Sequence, residues 1–408
     1  MNKKNKILII IIVIFLICFV FERINTNKSN VYEEQNVSSI KKDKELLSMN
    51  LEQTAGAGDY KTVTQSSWPT EGYVFNEELS KCENGSTLSW NETKKAVIVS
   101  GNLSDKCYVY FDIYMPSSIK DFCSGGTSLA TCVKNFGNQG SDISNIYIHN
   151  SSLTNGAGDN SYRYAGASAS VNNYICLGSD VATCPDANLF RIIGVFGDKT
   201  KVIRAKSVGD QKWDTSESNT WSSSSLNTYL NGTYLTSLGT IAEKIATTTW
   251  KVGGGSWDNI GTSVPATAYK NEVGSSASTT TVDKKIGLMY VSDYYYSASP
   301  SAWTLVGFNL RDATKDYGAA TSTNWLYLGS TEWTISRTSD YTNFEFCVNS
   351  TGNVCHGYAT NSNGVRPSFN LESSVKYVSG SGSIENPIRI TDWRTVLNNP
   401  RWNLGRMR

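Results

Sequence analysis

Cysteine spacing constrains this chain more than any other feature. Eight of the nine cysteines fall after the N-terminal apolar segment, and they are Cys82, Cys107, Cys123, Cys132, Cys176, Cys184, Cys347 and Cys355. Six of them delimit three compact segments, 123–132, 176–184 and 347–355, with turn residues between the two ends. Each segment can close as a hairpin or Ω-like loop. Cys82 and Cys107 then pair by exclusion.

Zinc is the alternative use for clustered cysteines. A zinc site would favour C-x2-C spacing or mixed Cys/His clusters. No C-x2-C occurs, and the only histidines are His149 and His356. An even number of cysteines in an exported chain is normally a disulfide framework. The spacing therefore predicts four disulfides in an oxidising compartment, with no metal and no cofactor.

The N-terminus carries three lysines followed by an apolar run over residues 7–21, which Glu22 and Arg23 end. Positive charge before an apolar segment keeps the N-terminus in the cytoplasm and sends the following chain outward. The run is short for a span, which needs roughly 20 residues, and long for a signal-peptide core. No small-residue cleavage site follows, so we expect an uncleaved anchor. A cleaved signal and a lipid-modified Cys18 are the alternatives.

This interpretation predicts a single-pass protein of the cell membrane, with the membrane as partner through the N-terminal helix and an extracellular C-terminal domain. The net charge of +1 favours no nucleic-acid partner, and 11% aromatic residues supply core material. The predicted organisation is a cytoplasmic tip at 1–6, a transmembrane anchor at 7–22, a polar stalk at 23–65, a small β unit at 66–115, a main α+β domain at 116–390 and an Arg/Trp tail at 391–408.

Hydrophobic patterns in the main domain predict many strands and few long helices. Residues 189–196 and 199–204 flank a Gly-Asp turn and predict a β-hairpin. Further strands are predicted at 286–291, 324–328, 332–336, 344–348 and 365–371, short helices at 222–230 and 239–246, and a long surface loop at 252–282. The predicted fold class is therefore α+β with a mostly antiparallel sheet.

Six short motifs resemble a bacterial surface domain of unknown function that is common in Firmicutes. They are FRIIG at 190–194, WD at 213–214, WSSSSLN at 221–227, IGLMYVSD at 286–293, WTISR at 333–337 and GVRP at 364–367. The closing motifs are similar to C-type-lectin-like domains of the formylglycine-generating-enzyme and phage tropism-protein type. The resemblance spans about 155–390 and implies a C-type-lectin-like main domain with long ligand-facing loops. It does not imply catalysis.

Aromatic side chains are the leading candidates for ligand contact, because ring faces suit the C–H faces of sugars. Trp257, Asp258 and Asn259 lie in a Gly-rich segment, where we expect an exposed indole. A calcium site at these three residues is the less favoured alternative. Four further tryptophans are either sugar contacts or core residues, with core favoured for the last two: Trp213, Trp221, Trp325 and Trp333.

The run Tyr294, Tyr295 and Tyr296 predicts either a binding ridge of the kind found in loop-based recognition surfaces or alternating burial at a strand end. Arg337 comes after Trp333 in its motif, and Arg366 comes directly before Pro367. A guanidinium can satisfy several loop carbonyls at once, so a structural role is favoured over ligand contact for both, although Arg337 stays among the candidate binding residues.

The motif inventory indicates no enzyme. Metalloprotease, α/β-hydrolase and P-loop motifs do not occur, and no acidic pair stands out for glycoside hydrolysis. The predicted function is a cell-surface binding or adhesion module, anchored by one N-terminal helix, for a glycan or protein ligand on the exterior. The alternative is a structural cell-envelope or minor pilus-type component without ligand binding.

Overall fold

The computed structural model of the protein describes residues 35–37, 47–64, 67–69, 71–102, 104–274 and 280–390. The chain divides into two compact units, 1–115 and 116–408, which we call unit 1 and unit 2. No helix among the described residues is long and apolar enough to cross a membrane. The predicted tip (1–6), anchor (7–22) and Arg/Trp tail (391–408) lie outside these residues. The fold prediction is corrected accordingly: the described residues form an α+β fold with mostly antiparallel sheets, and none of their helices is a membrane span.

Unit 1 consists of short strands in two sheets. The strands are β1 (Gln35–Val37), β2 (Leu47–Glu52), β3 (Tyr60–Val63), β4 (Tyr73–Phe75), β5 (Lys81–Cys82), β6 (Thr87–Asn91), β7 (Ala96–Ser100) and β8 (Cys107–Ile113). One sheet has the order β1-β7-β6, and the other has the order β3-β2-β8-β4 with β5 also on β8. β6 and β7 pair as an antiparallel hairpin.

Alternating burial explains why β8 lies inside unit 1. Cys107, Val109 and Phe111 are buried, whereas the residues between them are half-buried, as expected for side chains that point to opposite faces of a strand. Phe111 meets Trp90 edge-on, with ring centroids 5.6 Å apart. Residues 47–63, which the sequence assigned to a polar stalk, form β2 and β3 instead. Met49 and Leu51 in β2 supply the apolar face that burial requires.

Unit 2 contains three sheets. Its strands are β9 (Ile146–Ile148), β10 (Tyr162–Tyr164), β11 (Tyr174–Cys176), β12 (Leu189–Phe196), β13 (Lys199–Arg204), β14 (Asp210–Lys212), β15 (Thr248–Val252), β16 (Gly254–Gly255), β17 (Thr280–Lys284), β18 (Ile286–Gly287), β19 (Glu332–Thr338), β20 (Phe344–Val348), β21 (Val354–Tyr358), β22 (Ser362–Gly364), β23 (Ser368–Leu371), β24 (Tyr377–Ser379) and β25 (Ile388–Ile390). The large sheet has the order β18-β23-β13-β12-β11-β25-β24, with β10 on β12 and β9 on β10. The second has the order β14-β22-β19-β20-β21, with β16 on β19. β15 pairs with β17.

The α-helices of the described residues are short and lie in unit 2. They are α1 (Leu129–Gly137), α2 (Ser141–Ser144), α3 (Ser225–Tyr229), α4 (Leu235–Ser237), α5 (Trp257–Ile260), α6 (Pro265–Val273) and α7 (Val291–Tyr296). Side-chain caps start α1 and α3: the hydroxyls of Ser128 and Ser224 accept N–H groups of the first turn. Buried residues from helices and sheets form one continuous core, with β12 buried along nearly its whole length.

All four predicted disulfides are present, in the predicted pairing. Their Cα–Cα distances are 3.9 Å for Cys82–Cys107, 5.2 Å for Cys123–Cys132, 5.9 Å for Cys176–Cys184 and 4.8 Å for Cys347–Cys355. The first bridges β5 to β8 in unit 1, and the other three close local segments of unit 2. The predicted hairpin at 189–204 is confirmed as β12–β13, with Gly197 at a φ of 63° in its turn.

Three predicted elements of unit 2 were wrong. The long loop expected at 252–282 contains α5 and α6, because Pro265 can occupy the first turn of a helix without losing a hydrogen bond. The strand expected at 286–291 ends after Gly287, and Val291 begins α7. Residues 324–328 form a turn, in which the Asn324 side chain accepts the N–H of Leu326 at 3.0 Å.

Candidate functional site

Two segments that are distant in sequence meet at one surface of unit 2. The first is α5, which begins where the Ser256 hydroxyl accepts the N–H of Asn259 at 3.3 Å. Trp257 is half-buried, and Asp258 and Asn259 are exposed. A Cβ on Gly261 would lie 2.5 Å from the indole ring. Glycine therefore allows the Trp257 side chain to lie across the end of its own helix.

The second segment is the β20–β21 hairpin. Phe344 lies opposite Tyr358, and Phe346 lies opposite His356, so these four side chains share one face of the hairpin. The ring centroids of Phe344 and Tyr358 are 4.3 Å apart, and those of Phe344 and His356 are 5.2 Å apart. Phe346 is buried beneath the surface. The other three rings reach solvent.

Trp257 connects the two segments. Its ring stacks on Phe346 with an interplanar angle of 14° and a centroid distance of 5.8 Å. It meets His356 edge-on at 4.8 Å and Phe308 at 6.0 Å. Tyr341 extends the cluster through the half-buried ring of Phe344. We call the resulting partly exposed cluster the aromatic surface, and it consists of Trp257, Phe308, Tyr341, Phe344, His356 and Tyr358.

Backbone contacts hold the two segments in register. The N–H of Ser339 donates to the carbonyl of Gly255 at 2.9 Å. The N–H of Trp257 donates to Oδ2 of Asp340 at 3.2 Å. Asp340, Asp258 and Asn259 are all exposed, so carboxylate and amide groups lie beside the rings. The aromatic surface is thus a set of rings with a polar border.

Exposure distinguishes these rings from the core. Tyr341 is 58% exposed and Tyr358 is 48% exposed, and both contact Phe344. Burial of its inner side lowers the pKa of His356, so this imidazole is neutral at neutral pH. Neutral rings beside hydrogen-bonding groups suit an uncharged polar ligand that also has apolar faces.

The predicted tyrosine ridge does not exist. Tyr294, Tyr295 and Tyr296 lie in α7 and are at most 1% exposed. The hydroxyls of Tyr294 and Tyr295 donate to the carbonyls of Gly352 and Ile260, both at 2.7 Å. A six-residue helix buried on every side has no polar face, so no helical period is visible in the sequence.

The other predicted contacts are structural. The guanidinium of Arg337 donates to Oδ1 of Asn219 at 3.2 Å and lies across the strands from Glu345. Cross-strand pairing with Glu345 puts Arg337 on the opposite face of the sheet from Phe344. Arg366 is 2% exposed and pairs with the buried carboxylate of Glu332. Four tryptophans considered as sugar contacts are buried in the core: Trp213, Trp221, Trp325 and Trp333.

A buried group of charges was not predicted from the sequence. Nζ of Lys201 on β13 lies 2.5 Å from Oδ2 of Asp293 on α7. Arg163 on β10 approaches Oδ1 of Asp293 at 3.8 Å and Oδ2 of Asp159 at 2.7 Å. The lysine, the arginine and Asp293 are each at most 5% exposed. The sequence gives little sign of this group: Arg163 stands between two tyrosines in β10, but β13 also carries Lys199 and Arg204, and Asp293 lies on a helix.

Glu272 completes this buried group. Its carboxyl oxygens accept the N–H of Val291 at 2.9 Å and the N–H of Ser292 at 3.1 Å, and Oε1 also contacts the hydroxyl of Ser336. Burial raises the pKa of Glu272 to about 7, against the lowering effect of these hydrogen bonds. The carboxyl therefore changes between its neutral and charged forms near neutral pH.

The two histidines lie in different surroundings: His356 belongs to the aromatic surface, and His149 lies in the core of unit 2. His149 is fully buried, its Nδ1 accepts the N–H of Ala157 at 3.0 Å, and burial lowers its pKa to about 3. Across the described ranges, no group of three His, Cys, Asp or Glu residues could hold a metal ion. This also applies to Asp258 beside Trp257, where calcium was the less favoured alternative.

Unit 1 has a separate open groove at one end of the β6–β7 hairpin. The described lining residues are small, polar or glycine, and they are Asn84, Gly85, Ser86, Thr87, Ser100, Gly101 and Asn102. Their hydrogen bonds are largely internal: the carboxylate of Asp105 accepts the N–H of Asn84 at 2.9 Å and that of Ser86 at 3.1 Å. The groove offers neither ring nor charge to a ligand.

A comparison with protein families found a match within unit 2. A family described as "Domain of unknown function (DUF6273)" matches residues 197–373. This segment is less than half of the chain but includes the whole aromatic surface, Lys201, Glu272 and Asp293. No curated protein and no solved structure matches. The predicted resemblance to a domain of unknown function is thus supported. The Firmicutes origin and the lectin-like motifs are not, and the lectin-like part of the fold prediction is withdrawn.

Proposed function

We propose that this chain is an exported binding module that holds carbohydrate against the aromatic surface. The observation that carries the proposal is the exposure of Tyr341 and Tyr358, 58% and 48%, within a contiguous ring cluster. Contiguous apolar surface of this kind usually serves an interaction on a soluble domain. The four disulfides support the exported setting, because such bridges persist in oxidising compartments.

Carbohydrate is the ligand class that fits both parts of the surface. The rings offer flat apolar area to the C–H faces of a pyranose, and tyrosine does so at a low cost in side-chain entropy. Asp258, Asn259 and Asp340 supply acceptors and an amide donor for hydroxyl groups at the border. A net charge of +1 gives the chain no strong attraction for a polyanion.

The surface is also built on rigid elements. Phe344 and Tyr358 are on paired strands of one sheet, with buried Phe346 beneath Trp257. The Cys347–Cys355 bridge joins the same two strands from their opposite face. A ligand then finds the rings already in position, which reduces the entropy cost of binding.

A glycan array with the full chain, followed by calorimetry on the best ligand, tests this proposal. Replacing Tyr358→Ala removes an exposed ring, and we expect a loss of affinity of roughly tenfold or more, as for other aromatic contact residues. Tyr114→Ala is the matched control, because this tyrosine is 43% exposed but belongs to unit 1. The control should bind like the wild type.

Two outcomes contradict the proposal. One is an array without any bound glycan, and the other is equal affinity of the Tyr358→Ala variant and the wild type. If the chain binds no glycan and the wild type and the variant both cofractionate with a cell-envelope assembly, the structural alternative replaces the binding module.

A further inference from the structure

Lys201 and Asp293 form a lysine–carboxylate pair inside the core of unit 2. Their side chains are 6% and 2% exposed. The other lysine–carboxylate pairs within the described ranges are at the surface, such as Lys206–Asp186 with side chains 64% and 65% exposed. Lys201 and Asp293 are 92 residues apart in sequence, and they connect a central strand to the start of a helix.

Aromatic rings enclose the amine of this pair. Nζ of Lys201 lies 4.6 Å from the ring centroid of Tyr290, 5.5 Å from that of Trp250 and 5.6 Å from that of Phe196. Removing two charges from water carries a desolvation penalty that ion pairing only partly repays. Burial accordingly lowers the pKa of Lys201, which makes the neutral, nucleophilic amine more accessible than at the surface.

We propose that the side chains of Lys201 and Asp293 condense into an intramolecular amide bond that joins β13 to α7. Nζ of the lysine attacks Cγ of the aspartate, so that one N–C bond forms and one C–O bond breaks. The departing oxygen leaves as water with two of the three ammonium protons, and the two charges cancel. The reaction needs no oxidant and no cofactor. The fold already holds the two reacting groups in contact, so the reaction does not carry the entropy cost of bringing them together.

Arg163 and Tyr290 hold the carboxylate in place. The N–H of Tyr290 donates to Oδ2 of Asp293 at 2.8 Å, and Arg163 approaches Oδ1. Because a guanidinium remains protonated in proteins, Arg163 orients the acyl group without competing as a nucleophile. The buried pair Arg366–Glu332 contains a guanidinium instead of an amine, so it should form no amide bond. It therefore serves as an unreactive comparison within the same molecule.

Glu272 provides a second carboxyl next to the reacting pair. It binds the N–H groups of Val291 and Ser292, the two residues directly before Asp293. These two hydrogen bonds fix the start of α7 and therefore the position of the Asp293 carboxyl. Glu272 is a positioning residue, since its hydrogen bonds go to the backbone and to Ser336 rather than to the reacting atoms.

Peptide mapping of the reduced, denatured full chain tests the amide bond. Trypsin cannot cleave after an acylated lysine, so the bond predicts one branched peptide, in which residues 200–204 are joined to residues 286–311. Its mass should be the sum of the two peptides less one water molecule. Lys201→Arg is the control, because it keeps the charge but removes the amine; the branched peptide should be absent from it.

The wild-type result decides the proposal without depending on any variant. Cleavage after Lys201 and two unmodified peptides would overturn it. Loss of water from the 286–311 peptide alone would also overturn it, because that result indicates a succinimide at Asp293. For Glu272→Gln with an unchanged circular dichroism spectrum, we expect a smaller branched fraction after a fixed time. A branched fraction equal to that of the wild type would remove Glu272 from the proposal.

Discussion

Replacing Arg366→Met should destabilise unit 2 strongly, because it leaves a buried carboxylate without its partner. Nε and Nη2 of Arg366 each donate to Glu332 at 2.6 Å, and Nη2 also donates to the carbonyl of Leu326 at 2.6 Å. Both side chains of the pair are at most 2% exposed. Breaking a buried pair of this kind costs about 3–5 kcal/mol in the free energy of unfolding.

Urea unfolding followed by tryptophan fluorescence measures this cost, since Trp213 and Trp333 are buried in unit 2. Burial raises the pKa of Glu332 even with Arg366 present, and the variant raises it further. A raised folded-state pKa means that stability is lost as pH rises, so the deficit should be larger at about pH 8 than at about pH 5. The double variant Glu332→Gln with Arg366→Met should recover much of the loss. A deficit below about 1 kcal/mol, or no recovery in the double variant, would refute the reasoning.

Two further predictions follow from buried contacts. Among the described residues, neither carboxyl oxygen of Glu345 has a hydrogen-bond partner, and burial raises the pKa of this carboxyl well above its ordinary value. The wild type should therefore lose stability relative to Glu345→Gln as the pH rises from about 5 to about 8. Urea midpoints that change in parallel for the two proteins over this range would contradict this. Gly261→Ala places a methyl group against the Trp257 ring, so it should weaken glycan binding while the far-ultraviolet circular dichroism spectrum stays unchanged. An unaltered affinity would show that the position of the indole does not affect glycan binding.

Local features of the fold could be predicted from the sequence. The cysteine spacing predicted the four disulfides, and the Gly-Asp turn predicted the β12–β13 hairpin. Both depend on residues close in sequence. The loop predicted at 252–282 failed because a high content of Gly, Ser and Thr hid the helix that begins at Pro265. Tertiary contacts decide the structure of such weakly patterned segments.

The candidate site could be predicted only in part. Trp257 was singled out from its Gly-rich surroundings, and the structure brings it beside His356, at 4.8 Å between ring centroids. The other rings of the aromatic surface come from a β-hairpin about a hundred residues further along, and local sequence patterns carry no information on that distance. The same limit hid Lys201 and Asp293, because a lysine in a strand usually indicates a solvent-facing side chain.

The order of the disulfides has a consequence for the oxidative folding of the chain. The eight cysteines outside the N-terminal segment pair consecutively along the chain, the first with the second, the third with the fourth and so on, and the widest separation is 25 residues between Cys82 and Cys107. A chain that emerges N-terminus first therefore presents both members of each pair before the next pair appears. Thiols oxidised in order of emergence reach the native pairing directly, although eight cysteines allow many others. We expect a general oxidant to suffice for this chain, without a disulfide isomerase to correct wrong pairs.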